Sequence, residues 1–190
     1  MAQAKTLTDK ELRRVLDYTA TRKHARRNRA MLLTTYYSGM RVKEVASLRI
    51  ADVWTIDEGI KHEVRLTAEM TKGDKAGIVF LPEKLRKELL AYIAGIDRSD
   101  TTKALFYTQK HHQRGFTANT LAQFFHYLYK RAGIDGGSSH SGRRTFITNL
   151  AAKGVGVRVL QSLARHAGIG TTQSYIDVND DMKRRAVELV

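Results

Sequence analysis

Among these 190 residues, one stretch reads as a β-hairpin. From His62 to Ala68 the chain alternates, with Val64, Leu66 and Ala68 on one side. Thr71-Lys72-Gly73-Asp74-Lys75 is turn-like, and Ile78-Val79-Phe80-Leu81 reads as the return strand. Helical spacing governs most of the rest. Thr8 and Glu11 make a capping box ahead of Leu12, Val15 and Leu16. A second helix is predicted from about Arg26 to Ser38, stopped at Gly39, and Arg41 opens a short one to about Leu48. Further helices are predicted from Glu83 to about Ala94, after an N-cap at Thr117, and over about His140–Lys153, Arg158–Arg165 and Asp180–Val190. Ala104 to Tyr107 suits a short strand. The expected class is α+β, mostly α-helical, with a small antiparallel β-sheet or hairpin. One proline, no repeat and no Gly/Ser-rich linker point to a single domain over 1–190.

With no cysteine, disulfides and cysteine-based zinc sites are excluded, and a reducing cytoplasm suits the chain. No apolar run reaches the ~18 residues that a membrane helix needs, and residues 1–5 lack the apolar core of a secretory signal. The charge is informative. There are 33 Lys+Arg against 19 Asp+Glu, a formal net charge of +14. A small domain this basic usually meets a polyanion; an anionic membrane or ribosomal RNA would account for the charge equally well, and a merely basic soluble protein is the remaining alternative.

His140-Ser141-Gly142-Arg143 is the sharpest local motif. On a helix, an i,i+3 pair shares a face. Histidine exchanges a proton near neutral pH and arginine forks onto two phosphate oxygens, so the pair suits a reacting phosphate. Alone it is a weak signal in a basic chain. Tyr175 alone would be one of eight ordinary tyrosines, and Tyr36, Tyr37, Tyr127 and Tyr129 are core candidates. His111 and His112 sit in a polar stretch that reads as a solvated loop.

The motifs gain force from their order. Gly39-Met40-Arg41-Val42-Lys43-Glu44, then Lys72 in the hairpin turn, then His140-x-x-Arg143, are followed by His166-Ala-Gly-Ile-Gly-Thr-Thr-Gln-Ser-Tyr175. This series resembles the tyrosine recombinase (phage integrase) family, from about Thr8 to the C-terminus. The resemblance implies the catalytic fold of that family. Arg41 and Arg143 would bind the non-bridging oxygens of a scissile DNA phosphate. Tyr175 would attack phosphorus and form a 3′-phosphotyrosyl link, and Lys72, chosen over Lys75 because it precedes the turn glycine, would protonate the leaving 5′-oxygen. His140 and His166 would hydrogen-bond the phosphate, and Glu44 would prop the site from behind. No metal and no cofactor are implied. Double-stranded DNA is the implied partner, with a homotetramer on DNA, a monomer when free, an accessory DNA-bending protein and no membrane. A cytoplasmic, nucleoid-associated place in a bacterial or phage-infected cell follows. Arg22, Arg26 and Arg29, on one helical face, and Arg144 are candidates for DNA phosphate contacts.

There are departures from the family pattern. Gly142 and Arg144 stand where Leu and His are common around the second arginine, and Ala164-Arg165 replaces the usual Leu-Gly before His166. The pattern begins near Thr8, so the separate N-terminal core-binding clamp of most members is not seen. Met182, Ala186 and Leu189 share a face that fits either a last core helix or a segment docking on a neighbour. The alternatives to a recombinase are a type IB topoisomerase-like relaxing enzyme and a catalytically silent DNA-binding accessory protein.

Overall fold

A computed structural model describes residues 4–71, 73, 75–109, 114–176 and 180–188. Helix α1 (Asp9–Ala20) starts at the Thr8–Glu11 capping box and buries Leu12 and Val15. The centre of the molecule is α2 (Ala25–Ser38), which buries residues around most of its circumference, as a helix enclosed by others must. It lies against α5 (Glu83–Ile93) on one side and α7 (Ser141–Ala152) on another. Two short helices, α3 (Val42–Ser47) and α4 (Ile50–Val53), lead from α2 into the strands.

Among the described residues the chain makes two small antiparallel ribbons rather than one. β1 (Trp54–Thr55) pairs with β2 (Gly59–Ile60). β3 (Glu63–Leu66) pairs with β4 (Gly77–Phe80), in the register Glu63↔Phe80 and Leu66↔Gly77. Val64, Leu66 and Val79 face the core, while Ile78 and Phe80 stay exposed on the other face. The first ribbon was not expected, because strands of two residues carry no readable period. Among the described residues Ala104–Tyr107 contributes two isolated bridges, Arg49↔Ala104 and Tyr107↔Gly115, rather than a strand.

Helix α6 (Ala118–Arg131) begins at Thr117, whose hydroxyl accepts from the Thr120 N–H at 3.1 Å. α8 (Val157–Ala164), α9 (Ile169–Gln173) and α10 (Asp180–Val187) follow. On α10, Ala186 and Val187 are exposed, and Leu189 lies outside the described residues. Tyr36 and Tyr129 are buried as expected, but Tyr127 is 52% exposed on the outer face of α6. The expected common face of Arg22, Arg26 and Arg29 is also corrected. His24 takes a left-handed conformation (φ 60) at the N-cap of α2, so Arg22 precedes the helix. No helix among the described residues is long and apolar enough to cross a membrane.

Candidate active site

The site is assembled where four chain segments end. Helix α2 stops at Gly39, left-handed at φ 64, and a Cβ there would lie 2.5 Å from the Phe146 ring of α7. The chain then turns so that Arg41 becomes the N-cap of α3. Glu44, one turn on and fully buried, accepts the Arg41 N–H through Oε2 (2.7 Å) and the Arg41 guanidinium through Oε1 (3.0 Å). The other Nη of Arg41 donates to the carbonyl of Arg165 at 2.9 Å. Glu44 therefore lies behind Arg41 and holds both its backbone N–H and its guanidinium.

Arg143 rises from the first turn of α7 and is 5% exposed. It donates to the Gly39 carbonyl at 2.5 Å and to the carbonyl of Ala164. Those carbonyls close α2 and α8, so one guanidinium ties two helix C-termini, whose dipoles favour a cation. Burial, together with Arg41 and Arg165, holds its pKa down at about 9. The close approach of α7 depends on Gly142, where a Cβ would meet the Thr35 hydroxyl of α2 at 2.2 Å. Gly142, a departure from the family pattern in the sequence, is in the fold the contact that seats Arg143.

His140 is the N-cap of α7 rather than part of it, exposed and with its N–H on the Ser138 hydroxyl at 3.3 Å. The pair thus divides, Arg143 inward and His140 outward. His166 follows the C-terminus of α8, and its Nδ1 is 2.9 Å from the Thr172 hydroxyl. Partial burial and the charges of Arg143, Arg41 and Arg165 push its pKa down to about 4, so the ring is neutral at pH 7. The half-buried Tyr175 ring stacks on it, with centroids 5.7 Å apart and an interplanar angle of 23°. Arg144 sits 5.0 Å from the Tyr175 centroid and donates to Thr6 Oγ1 at 3.2 Å.

Arg41, Glu44, Arg143, His166 and Tyr175 thus form one cluster, with Arg144 at its edge. Lys72, His111 and His112 lie outside the described residues. Lys43 Nζ donates to the Thr71 carbonyl at 2.7 Å, and the Thr71 hydroxyl bridges to Lys75. Of the tentative phosphate contacts, Arg22 lies over the Tyr18 ring, Arg26 is exposed, and Arg29 is engaged with Glu88 through two hydrogen bonds of 2.7 and 2.5 Å. Sequence reasoning missed the part Arg165 takes. Its guanidinium donates to Glu44 Oε2 at 2.6 Å. The available signal was a charge at a position that the family pattern gives to glycine.

Residues 5–182 match the phage integrase family, and the chain belongs to that family. It is 32% identical over 188 residues to tyrosine recombinase XerA of Thermococcus kodakarensis, covering 97% of this chain and 62% of that protein. Tyrosine recombinase XerA of Pyrococcus furiosus is 28% identical, covering 97% of this chain and 61% of that protein. The crystal structure of XerA recombinase superimposes with a TM-score of 0.75 at 27% identity, over 100% of this chain and 66% of that one. The chain thus spans about three fifths of the length of these curated relatives.

Proposed function

We propose that this chain carries the strand-cleaving and rejoining chemistry of a site-specific DNA recombinase or integrase. The observation that carries the reading is the convergence of Arg41 and Arg143 on the carbonyls of Arg165 and Ala164, with Tyr175 stacked on the adjoining His166. Each guanidinium has five N–H donors. Two groups of each are committed to protein partners, which fixes their orientation and leaves donors for the non-bridging oxygens of a phosphate.

In this reading the Tyr175 hydroxyl oxygen attacks phosphorus in line. A phosphorus–tyrosine bond forms as the bond to the 5′-oxygen breaks, and Lys72 protonates that oxygen. Arg41 and Arg143 stabilise the charge that develops on the non-bridging oxygens. His166, neutral and with Nδ1 held by Thr172, presents Nε2 to the phosphate, and His140 takes the tyrosine proton. Attack of a 5′-hydroxyl on the phosphotyrosine reverses the sequence and rejoins a strand. Double-stranded DNA is the partner, consistent with the net charge of +14. A synaptic tetramer, an accessory DNA-bending protein and a place at the nucleoid belong to the same proposal.

The test is a suicide duplex carrying candidate target sites, from which the cleaved end cannot religate. A denaturation-stable protein–DNA adduct is expected with the wild type and none with Tyr175→Phe. An adduct that persists in Tyr175→Phe would exclude this residue as nucleophile, and its absence from every duplex tested with the wild type would favour a silent DNA-binding role.

A further inference from the structure

Arg165 is in a costly place. Its φ of 54 is left-handed, a region where glycine has no steric penalty and an arginine does. Such strain persists where the surroundings over-determine it. Here its side chain is 13% exposed and donates to Glu44 Oε2 at 2.6 Å and to the Leu163 carbonyl at 3.0 Å. Gly77, opening strand β4, makes room for it, since a Cβ there would lie 2.9 Å from Arg165 Cδ.

A charge count shows what the side chain adds. The buried Glu44 carboxylate is shared by Arg41 and Arg165, and Arg143 is close by. Three guanidiniums against one carboxylate leave two net positive charges. A phosphodiester carries one negative charge, and the phosphorane formed when a deprotonated tyrosine attacks it carries two. With a neutral residue at 165, Glu44 would fall to Arg41 alone, and half of that net charge would be lost. In a site of low dielectric such a loss is felt strongly.

We infer that Arg165 is a positioning residue that neutralises Glu44, so that the charges of Arg41 and Arg143 are both directed at the reacting phosphate. The inference rests on the strand-cleavage reading above.

The experiment measures single-turnover adduct formation by the full chain on a suicide duplex, with thermal melting of each variant. Arg165→Met is expected to slow adduct formation at least about tenfold. Arg165→Lys, which keeps the charge, should stay within about threefold of wild type. The double variant Glu44→Gln/Arg165→Met removes one charge of each sign and should recover most of the loss. Equal slowing by Lys and Met, a wild-type rate in Arg165→Met, or a double variant no faster than Arg165→Met would each overturn the inference. Should Arg165→Met fail to fold, the double variant carries the test alone, and a rate tenfold or more below wild type would overturn it.

A second readout needs no cleavage. The titration midpoint of His166, followed by NMR in the free protein, should rise in Arg165→Met and stay put in Arg165→Lys. An unmoved midpoint in Arg165→Met would show that the Arg165 charge does not reach the site. A wild type that forms no adduct would count against the recombinase reading, while this titration would still decide the part assigned to Arg165.

Discussion

At the scale of single residues, the site is organised by charge. His166 sits among three arginines, and the neutral imidazole is the form the fold favours. Its folded pKa of about 4 lies below the ordinary value near 6.5, so the unfolded chain binds the extra proton more readily. Stability linked to this ring is therefore intact above about pH 6.5 and is lost as pH falls towards about 4. His166→Gln should flatten the fall in melting temperature across that window, and an unchanged acid limb would refute the assignment. The sequence displayed Arg41, His140, Arg143, His166 and Tyr175 plainly, because their identities and order carry the motif. The part played by Arg165 was not legible. It depends on a backbone angle and on a carboxylate 121 positions away in the chain.

Elements meet at glycines. At Gly142 the helix gives up its side chain so that α7 can approach Thr35 on α2, and at Gly39 α2 turns left-handed beneath Phe146. Gly142→Ala would gain up to ~1 kcal/mol of helix propensity. It would also place a methyl group 2.2 Å from the Thr35 hydroxyl, and overpacking of this kind costs ~1–3 kcal/mol. A net loss in denaturant midpoint is expected, and Thr35→Ala in the same background should recover part of it. At the hairpin, Lys43→Met removes the bond from α3 to the Thr71 carbonyl. The Lys75 amide, which donates to the Thr71 hydroxyl, should then exchange faster with solvent. Helix starts with a side-chain cap, at Thr8 and Thr117, were readable because the cap is local. The start of α2 was placed within a residue, at about Arg26 against Ala25, but nothing in Arg22 to Arg29 marks His24 as the residue that turns left-handed.

For the whole molecule, a net charge of +14 would make the proposed binding to DNA strongly salt-dependent. Six phosphate contacts would give a log–log slope of affinity against salt of about −5. Fluorescence anisotropy on a duplex, from low to moderate salt, should show a slope at least that steep, and a shallow one would point away from a phosphate-dominated interface. A broader consequence comes from the guanidinium of Arg143, which ties the ends of α2 and α8 while Arg41 and Arg165 repel it. An oxyanion seated there relieves that repulsion only in the folded chain. Occupancy and folding are then coupled by mass action. Sulfate or inorganic phosphate left over from purification would act as a hidden stabiliser, and a dye-based melting curve recorded against added oxyanion would report whether the cradle is filled before any DNA is present.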